Sequence, residues 1–163
     1  MSSEVMPGEQ KSWAETPPMN PPIRHLIGEV VENQTWLDKL AAPFQSWLLK
    51  LFGQPGEPNR KIKDLLNGTW LGHALHPVLT DLPIGCWTST ALLDLVWLGN
   101  EDDGIARGAD ITLVFGLLGA AGAVVTGVTD WSDLDGTDRR VGFLHGLLNG
   151  SITLMNIYSL VLR

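Results

Sequence analysis

Long apolar stretches dominate the second half of this chain, whereas polar residues and prolines dominate the first 65 residues. Three apolar windows, at 77–98, 108–129 and 141–162, each contain at least the roughly 20 residues that a helix needs to cross about 30 Å of hydrocarbon. The pattern therefore predicts an all-α integral membrane protein with three transmembrane helices, which form a domain over residues 67–163.

The segment before these windows divides into two parts. Residues 1–26 show no hydrophobic period and are expected to form a disordered or extended arm. Residues 27–66 begin with apolar residues at helical spacing and end in a turn-rich linker, and Pro43 is expected to break or kink the helix. We interpret this helix as amphipathic and interfacial, with Trp36 and Trp47 at headgroup level. Packing on a soluble partner is the alternative.

Loop charges predict the orientation of the spans. Lys and Arg residues precede the first span and occupy the second connection: Arg60, Lys61, Lys63, Arg139 and Arg140. Since such residues accumulate on the cytoplasmic side, we expect an inner-membrane protein with a cytoplasmic amino terminus. The net charge of −7 argues against nucleic acid as a partner, because binding phosphate requires clustered cations.

Small residues recur on the second predicted span at Gly116, Gly119, Ala123 and Thr126, which predicts a face for close helix contact. The third span carries one polar stripe and, beside it, a stripe of glycines. The polar stripe is His145, Asn149, Thr153 and Asn156, and the glycines are Gly142, Gly146 and Gly150. Polar groups are costly in lipid, so the polar stripe should face the interior of the bundle.

The predicted topology gathers six ionisable residues at the cytoplasmic end of the bundle. They are His73, His76, Asp81, Asp130, Asp133 and His145. Imidazole and carboxylate groups together are suitable ligands for zinc or iron, and two histidines on facing helices are suitable axial ligands for haem.

Two other interpretations of this cluster remain open. The same side chains are equally suited to clasping the helices through hydrogen bonds and ion pairs, with no cofactor at all. A catalytic centre or a proton path using Asp81 and His145 is the third interpretation.

Two sequence blocks resemble a known family. The runs LLNGTWLGHALHPVLTDLPIGCWTSTALLDL and VTGVTDWSDLDGTDRRVGFLHGLLN are similar to an uncharacterised bacterial membrane-protein family, a domain of unknown function. The resemblance covers about residues 60–163. Some members are fused to Rieske-type iron–sulfur domains, and the family is similar in architecture to small membrane b-type cytochromes.

The resemblance implies haem b as a cofactor, with His76 and His145 as the first axial-ligand candidates and His73 as the alternative. It also implies a Rieske-type redox partner. This chain differs from the family pattern in two ways. The family usually continues into a fourth span, whereas three are predicted here, and the one cysteine of this chain cannot hold an iron–sulfur cluster. A partner or a second copy is expected to complete the bundle.

We therefore expect a small membrane subunit of an electron-transfer system that binds haem b or a single Fe or Zn ion, rather than an enzyme. The alternative is a purely structural accessory subunit that contacts lipids, docks on a larger membrane complex and holds no cofactor.

Overall fold

The computed structural model describes residues 30–53, 57, 58 and 60–163, and their regular structure is helical, with no strand among them. The principal helices are α1 (Trp36–Phe52), α2 (Arg60–Leu66), α3 (Leu75–Asn100), α4 (Asp103–Trp131) and α5 (Gly136–Leu162), with a 3₁₀ turn at Thr69–Leu71. The predicted arm at 1–26 and the start of the predicted interface segment lie outside the described residues.

Two of the helices, α3 and α4, are long and apolar enough to cross a membrane. They contain the predicted windows at 77–98 and 108–129. The third window, 141–162, lies within the 27-residue helix α5. Its polar positions lower its hydropathy, and it is not among the candidate spans in this part of the chain. The third helix is thus confirmed as a helix, whereas its crossing of the membrane stays a prediction.

Helices α3 and α4 pack closely because small residues of α4 face large ones of α3. A Cβ atom added to Gly116 would lie 2.4 Å from the Trp87 ring, and one added to Gly119 would lie 2.9 Å from Cδ of Pro83. Farther along the pair, the hydroxyl oxygens of Thr90 and Thr112 are 2.9 Å apart. These contacts confirm the predicted small-residue face of α4. Van der Waals contact of this kind drives helix association in lipid.

Helix α5 packs far less extensively on α4 than α3 does, and none of its residues is buried. Near its start, a Cβ atom on Gly142 would lie 2.5 Å from the Trp131 ring, so the two helices touch there. One and two turns later, Gly146 and Gly150 have open space where a side chain would be. The helix therefore diverges from α4 after its first turns.

Helix α1 packs across the ends of α4 and α5. Ala41 and Leu48 form a buried cluster with Trp131, while the Trp131 indole N–H donates a 2.8 Å hydrogen bond to the carbonyl of Arg139. Pro43 was predicted to break or kink this helix, and the break is wrong, because α1 runs through the proline without interruption. Ala41 before the proline and Leu48 after it pack in one cluster with Trp131.

A carboxylate of α1 ties this helix to the start of α5. Asp38 accepts hydrogen bonds from Arg139 at 2.9 Å and from Arg140 at 2.6 and 3.0 Å. The hydrogen bonds from Arg140 and then Arg139 lower the pKa of Asp38 from 3.8 to about 2. Gln45 adds hydrogen bonds to the carbonyls of Ser132 and Leu134, at 3.1 and 2.6 Å.

The short helix α2, which the sequence pattern did not predict, carries a second ionic contact. The Lys63 side chain is fully buried, and its Nζ lies 2.5 Å from Asp133 after the end of α4. Arg60 contacts the same carboxylate at 3.0 Å. Burial raises the pKa of Asp133, but the hydrogen bonds from Lys63 and Arg60 outweigh it and hold the pKa below its usual range.

We expect Asp133→Ala to destabilise the protein more than Lys63→Met does. Removing the carboxylate leaves a buried ammonium without its partner, whereas removing the ammonium leaves Asp133 paired with Arg60. Because Asp133 is 37 % exposed, the expected cost of Asp133→Ala is about 2 kcal/mol rather than the larger value for a fully buried pair. Denaturant titration in detergent micelles measures both variants, and an equal or larger loss in Lys63→Met would contradict this assignment.

Acidification should release α1 from the bundle. Because folding lowers the pKa of Asp38, its stabilising contribution is complete above pH 3.8 and is lost as the pH falls towards about 2. Limited proteolysis of α1 between pH 5 and pH 2 (roughly the range over which such a carboxylate titrates) should show rising cleavage. In Asp38→Asn, α1 should already be more susceptible at neutral pH, and its cleavage should change less over this range. Identical pH profiles for the two proteins would refute the role of Asp38.

Candidate functional site

Two histidines, His73 and His76, lie where the connection from α2 enters α3, at the end of the bundle that α1 and α2 occupy. Gly68 has a φ of +76°, and a Cβ atom there would lie 2.4 Å from the carbonyl oxygen of His73. Only glycine allows both this backbone conformation and this approach. The tight turn leads directly into the first turn of α3, where His76 lies.

His76 is half-buried against the backbone of α4. Its Nδ1 lies 2.8 Å from the carbonyl oxygen of Ala123, so Nδ1 carries the proton in the tautomer that makes this hydrogen bond. One turn later on α4, a Cβ atom on Gly127 would lie 2.8 Å from Cε1 of the imidazole. The ring thus lies in a notch that exists because residue 127 has no side chain, and Nε2 makes no hydrogen bond to the described residues.

His145 of α5 faces His76 across the end of the bundle. The two ring centroids are 6.4 Å apart and the ring planes are nearly perpendicular, at 87°. Both ring nitrogens of His145 lie 3.3 Å from the side-chain nitrogen of Asn149, which also donates to the His145 carbonyl at 2.9 Å. The structure therefore brings together two of the predicted residues from helices that are separate in sequence.

Two other predicted residues lie apart from this pair. His73 is exposed, and its Nδ1 lies 2.8 Å from the carbonyl oxygen of the adjacent Ala74. Asp81 is exposed on α3 and makes no hydrogen bond or ion pair within the described part of the chain. Neither residue contacts the two facing imidazoles.

The two remaining aspartates lie on the side of α2. Asp130 is near enough to His76 to interact with it electrostatically. In the orientation that satisfies its neighbours, the Asn67 amide donates to Asp130 at 3.2 Å and to the Thr129 hydroxyl at 2.7 Å. Asp133 is engaged by Lys63 and Arg60. A polar network thus runs from the α2 surface towards His76.

The described residues contain no group of three or more His, Cys, Asp or Glu side chains that could hold a metal ion. The six predicted residues thus share one end of the bundle without forming a single cluster. The arrangement offers two imidazoles on two helices, and the Nδ1 atom of one of them, His76, is hydrogen-bonded to a backbone carbonyl. In metal sites, this kind of hydrogen bond fixes the tautomer of a ligating histidine.

Sequence reasoning missed several residues that shape this end of the bundle. Gly127 and the Ala123 carbonyl position His76, while Asn67 contacts Asp130. The sequence does carry a signal for Gly127, because this residue continues along α4 the row of small residues that pack on α3. Backbone carbonyls leave no such signal, since every residue has one.

Comparison with known proteins agrees with the membrane assignment. A family model described as "Predicted membrane protein (DUF2231)" matches residues 72–163, which is more than half of the chain. No curated protein and no solved structure matches the chain. The matched region contains α3, α4 and α5 together with both facing histidines. This chain therefore belongs to the DUF2231 family of predicted membrane proteins.

Proposed function

We propose that this protein is a small membrane subunit of an electron-transfer system that holds haem b between His76 and His145. The observation that carries the proposal is the 6.4 Å separation of the two imidazoles across α3 and α5. Two imidazoles that bound one metal ion from opposite sides, at about 2.0–2.1 Å each, would have centroids about 6 Å apart. When bound, haem would carry single electrons through its iron.

The donor set favours haem over a lone metal ion. A structural zinc site needs four ligands, whereas a haem iron takes four nitrogens from the macrocycle and needs only two from the protein. The hydrogen bond from His76 Nδ1 to Ala123 leaves Nε2 as the ligand atom. No described atom lies within 4 Å of a Cβ added to Gly146 or Gly150, so this face of α5 would not obstruct a planar group. His73 is the less suitable alternative, since it does not face His145.

We further propose that α5 is a third span. Its 27 residues extend about 40 Å at 1.5 Å each, which exceeds the thickness of the hydrocarbon core. Its polar side chains donate to carbonyls one turn back: Asn149 to His145, Thr153 to Asn149 and Asn156 to Ile152, all at 2.8–2.9 Å. These bonds reduce the cost of polar groups in lipid.

The orientation we propose is that of an inner-membrane protein with a cytoplasmic amino terminus. The ionic contacts of α2 with Asp133, and of the α5 arginines with Asp38, put most basic residues at the histidine end. At the same end, α1 exposes one apolar stripe that suits the lipid interface. Its members are 40–57 % exposed: Trp36, Leu40, Phe44, Trp47 and Leu51.

A purely structural accessory subunit is the second candidate. The observation that favours it is α5, which has no buried residue in this chain and exposes apolar side chains along its length. A larger membrane complex, a Rieske-type partner or a second copy would cover this helix. In that case the histidines would act only as contacts between α3 and α5.

An absorption spectrum of the detergent-purified protein, oxidised and then reduced with dithionite, tests the haem proposal. We expect a Soret band that sharpens on reduction, and its loss in His145→Ala because one axial ligand is removed. His73→Ala is the matched control, since this exposed histidine does not contact the pair, and it should retain the band. Metal analysis of the same sample, compared with its haem absorbance, separates haem iron from a lone ion.

A colourless, metal-free protein would overturn the haem proposal and leave the accessory role standing. Unchanged bound cofactor in His145→Ala would remove that residue from the site.

Gly127→Ala should weaken cofactor binding without removing a ligand. The added methyl group would lie 2.8 Å from the His76 ring and displace it from its hydrogen bond to Ala123. Loss of such an outer contact lowers affinity by about 10-fold or more. Titration of the apoprotein with haemin measures this loss. Gly85→Ala on α3, where a Cβ atom meets no neighbour, should bind haemin as the unmodified protein does. If Gly127→Ala bound haemin with the affinity of the unmodified protein, the role of Gly127 in positioning His76 would be contradicted.

A further inference from the structure

A groove opens between α3, α4 and α5 at the end of the bundle opposite the histidines. Its volume is about 660 Å³, within the range of roughly 300–1,000 Å³ that small-molecule sites occupy. Its walls are mainly apolar, and they include Trp97, Leu98, Ala106, Met155 and Leu162. The groove lies between the last turns of α5 and the facing residues of α3 and α4.

Three charged side chains, Asp94, Asp110 and Arg163, form part of the groove wall. Arg163 donates through Nη1 to Asp110 at 3.0 Å and through Nη2 to Asp94. Two carboxylates thus share one guanidinium, and the group carries a net charge of −1. The aspartate side chains are 40 % and 46 % exposed, so both have oxygen atoms that remain open to a ligand. The guanidinium retains N–H groups that neither carboxylate uses.

We infer that this groove binds a phospholipid with a primary-amine headgroup, phosphatidylethanolamine. The part of the wall that lies deeper along α5 than Arg163, at Tyr158 and Met155, suits an acyl chain, and the charged group lies near the ends of the two candidate spans, where a headgroup lies. A primary ammonium balances the net negative charge of the three side chains, called here the Arg163 triad, and donates hydrogen bonds to Asp94 and Asp110. The lipid phosphate meets the unused N–H groups of Arg163.

Other common headgroups fit this group less well. A phosphatidylglycerol headgroup adds a negative charge to a site that already has an excess of one carboxylate. A phosphatidylcholine headgroup has the positive charge but no N–H donor for the carboxylates. The selectivity therefore comes from charge and from hydrogen bonding together, and it is independent of any cofactor at the histidine end.

Native mass spectrometry of the full chain tests this inference. The protein in detergent micelles is mixed with equal amounts of phosphatidylethanolamine, phosphatidylcholine and phosphatidylglycerol, and the retained adducts are compared. We expect the phosphatidylethanolamine adduct to exceed each of the others by about threefold, as suits a partly exposed ion pair. This comparison uses the unmodified protein and depends on no variant.

A pair of carboxamide variants locates the effect. In Asp110→Asn, the preference for phosphatidylethanolamine over phosphatidylcholine should disappear, because the triad becomes neutral and loses an acceptor. Asp81→Asn is the matched control, since Asp81 is an exposed carboxylate of α3 that does not line the groove. It should keep the preference. Equal retention of the three lipids, stronger retention of phosphatidylglycerol, or an unchanged preference in Asp110→Asn would overturn the inference.

Discussion

The close approach of α3 to α4 is the contact on which the rest of the bundle depends. In lipid, helices gain little from apolar burial, so association requires tight van der Waals packing. Gly116 and Gly119 permit it by admitting the Trp87 ring and Pro83 to the backbone of α4. The same approach, continued two turns along α4, brings the His76 ring against Gly127. One packing mode therefore fixes both the helix pair and the position of the candidate ligand.

Helix α5 is held differently from the other two. At one end it contacts Trp131 through Gly142 and faces His76 through His145, and at the other end Arg163 pairs with carboxylates of α3 and α4. Past its first turns it packs only loosely on its neighbours, and the candidate haem position and the candidate lipid groove lie beside it at its two ends. The features that suggest function therefore follow from the incomplete packing of one helix.

The histidine end is also where the surface helices attach. Asp38 links α1 to the start of α5, and Asp133 links α2 to the end of α4. Both connections are ionic and lie outside the predicted spans, where water and headgroups lower the cost of charge. They leave the apolar stripe of α1 on the outside. Helix α1 and the candidate site are consequently part of one assembly of elements at the same end of the bundle.

The sequence by itself determined the helical class, the positions of α3 and α4 and the small-residue face of α4, because apolar length and helical period are local properties. It also placed His76 and His145 among six candidate site residues, but it could not show that these two face each other while His73 and Asp81 lie apart from them. It predicted that Pro43 would break or kink α1, and the helix is unbroken there. Which polar groups meet was decided only by the tertiary structure, since that depends on how far each pair of helices can approach.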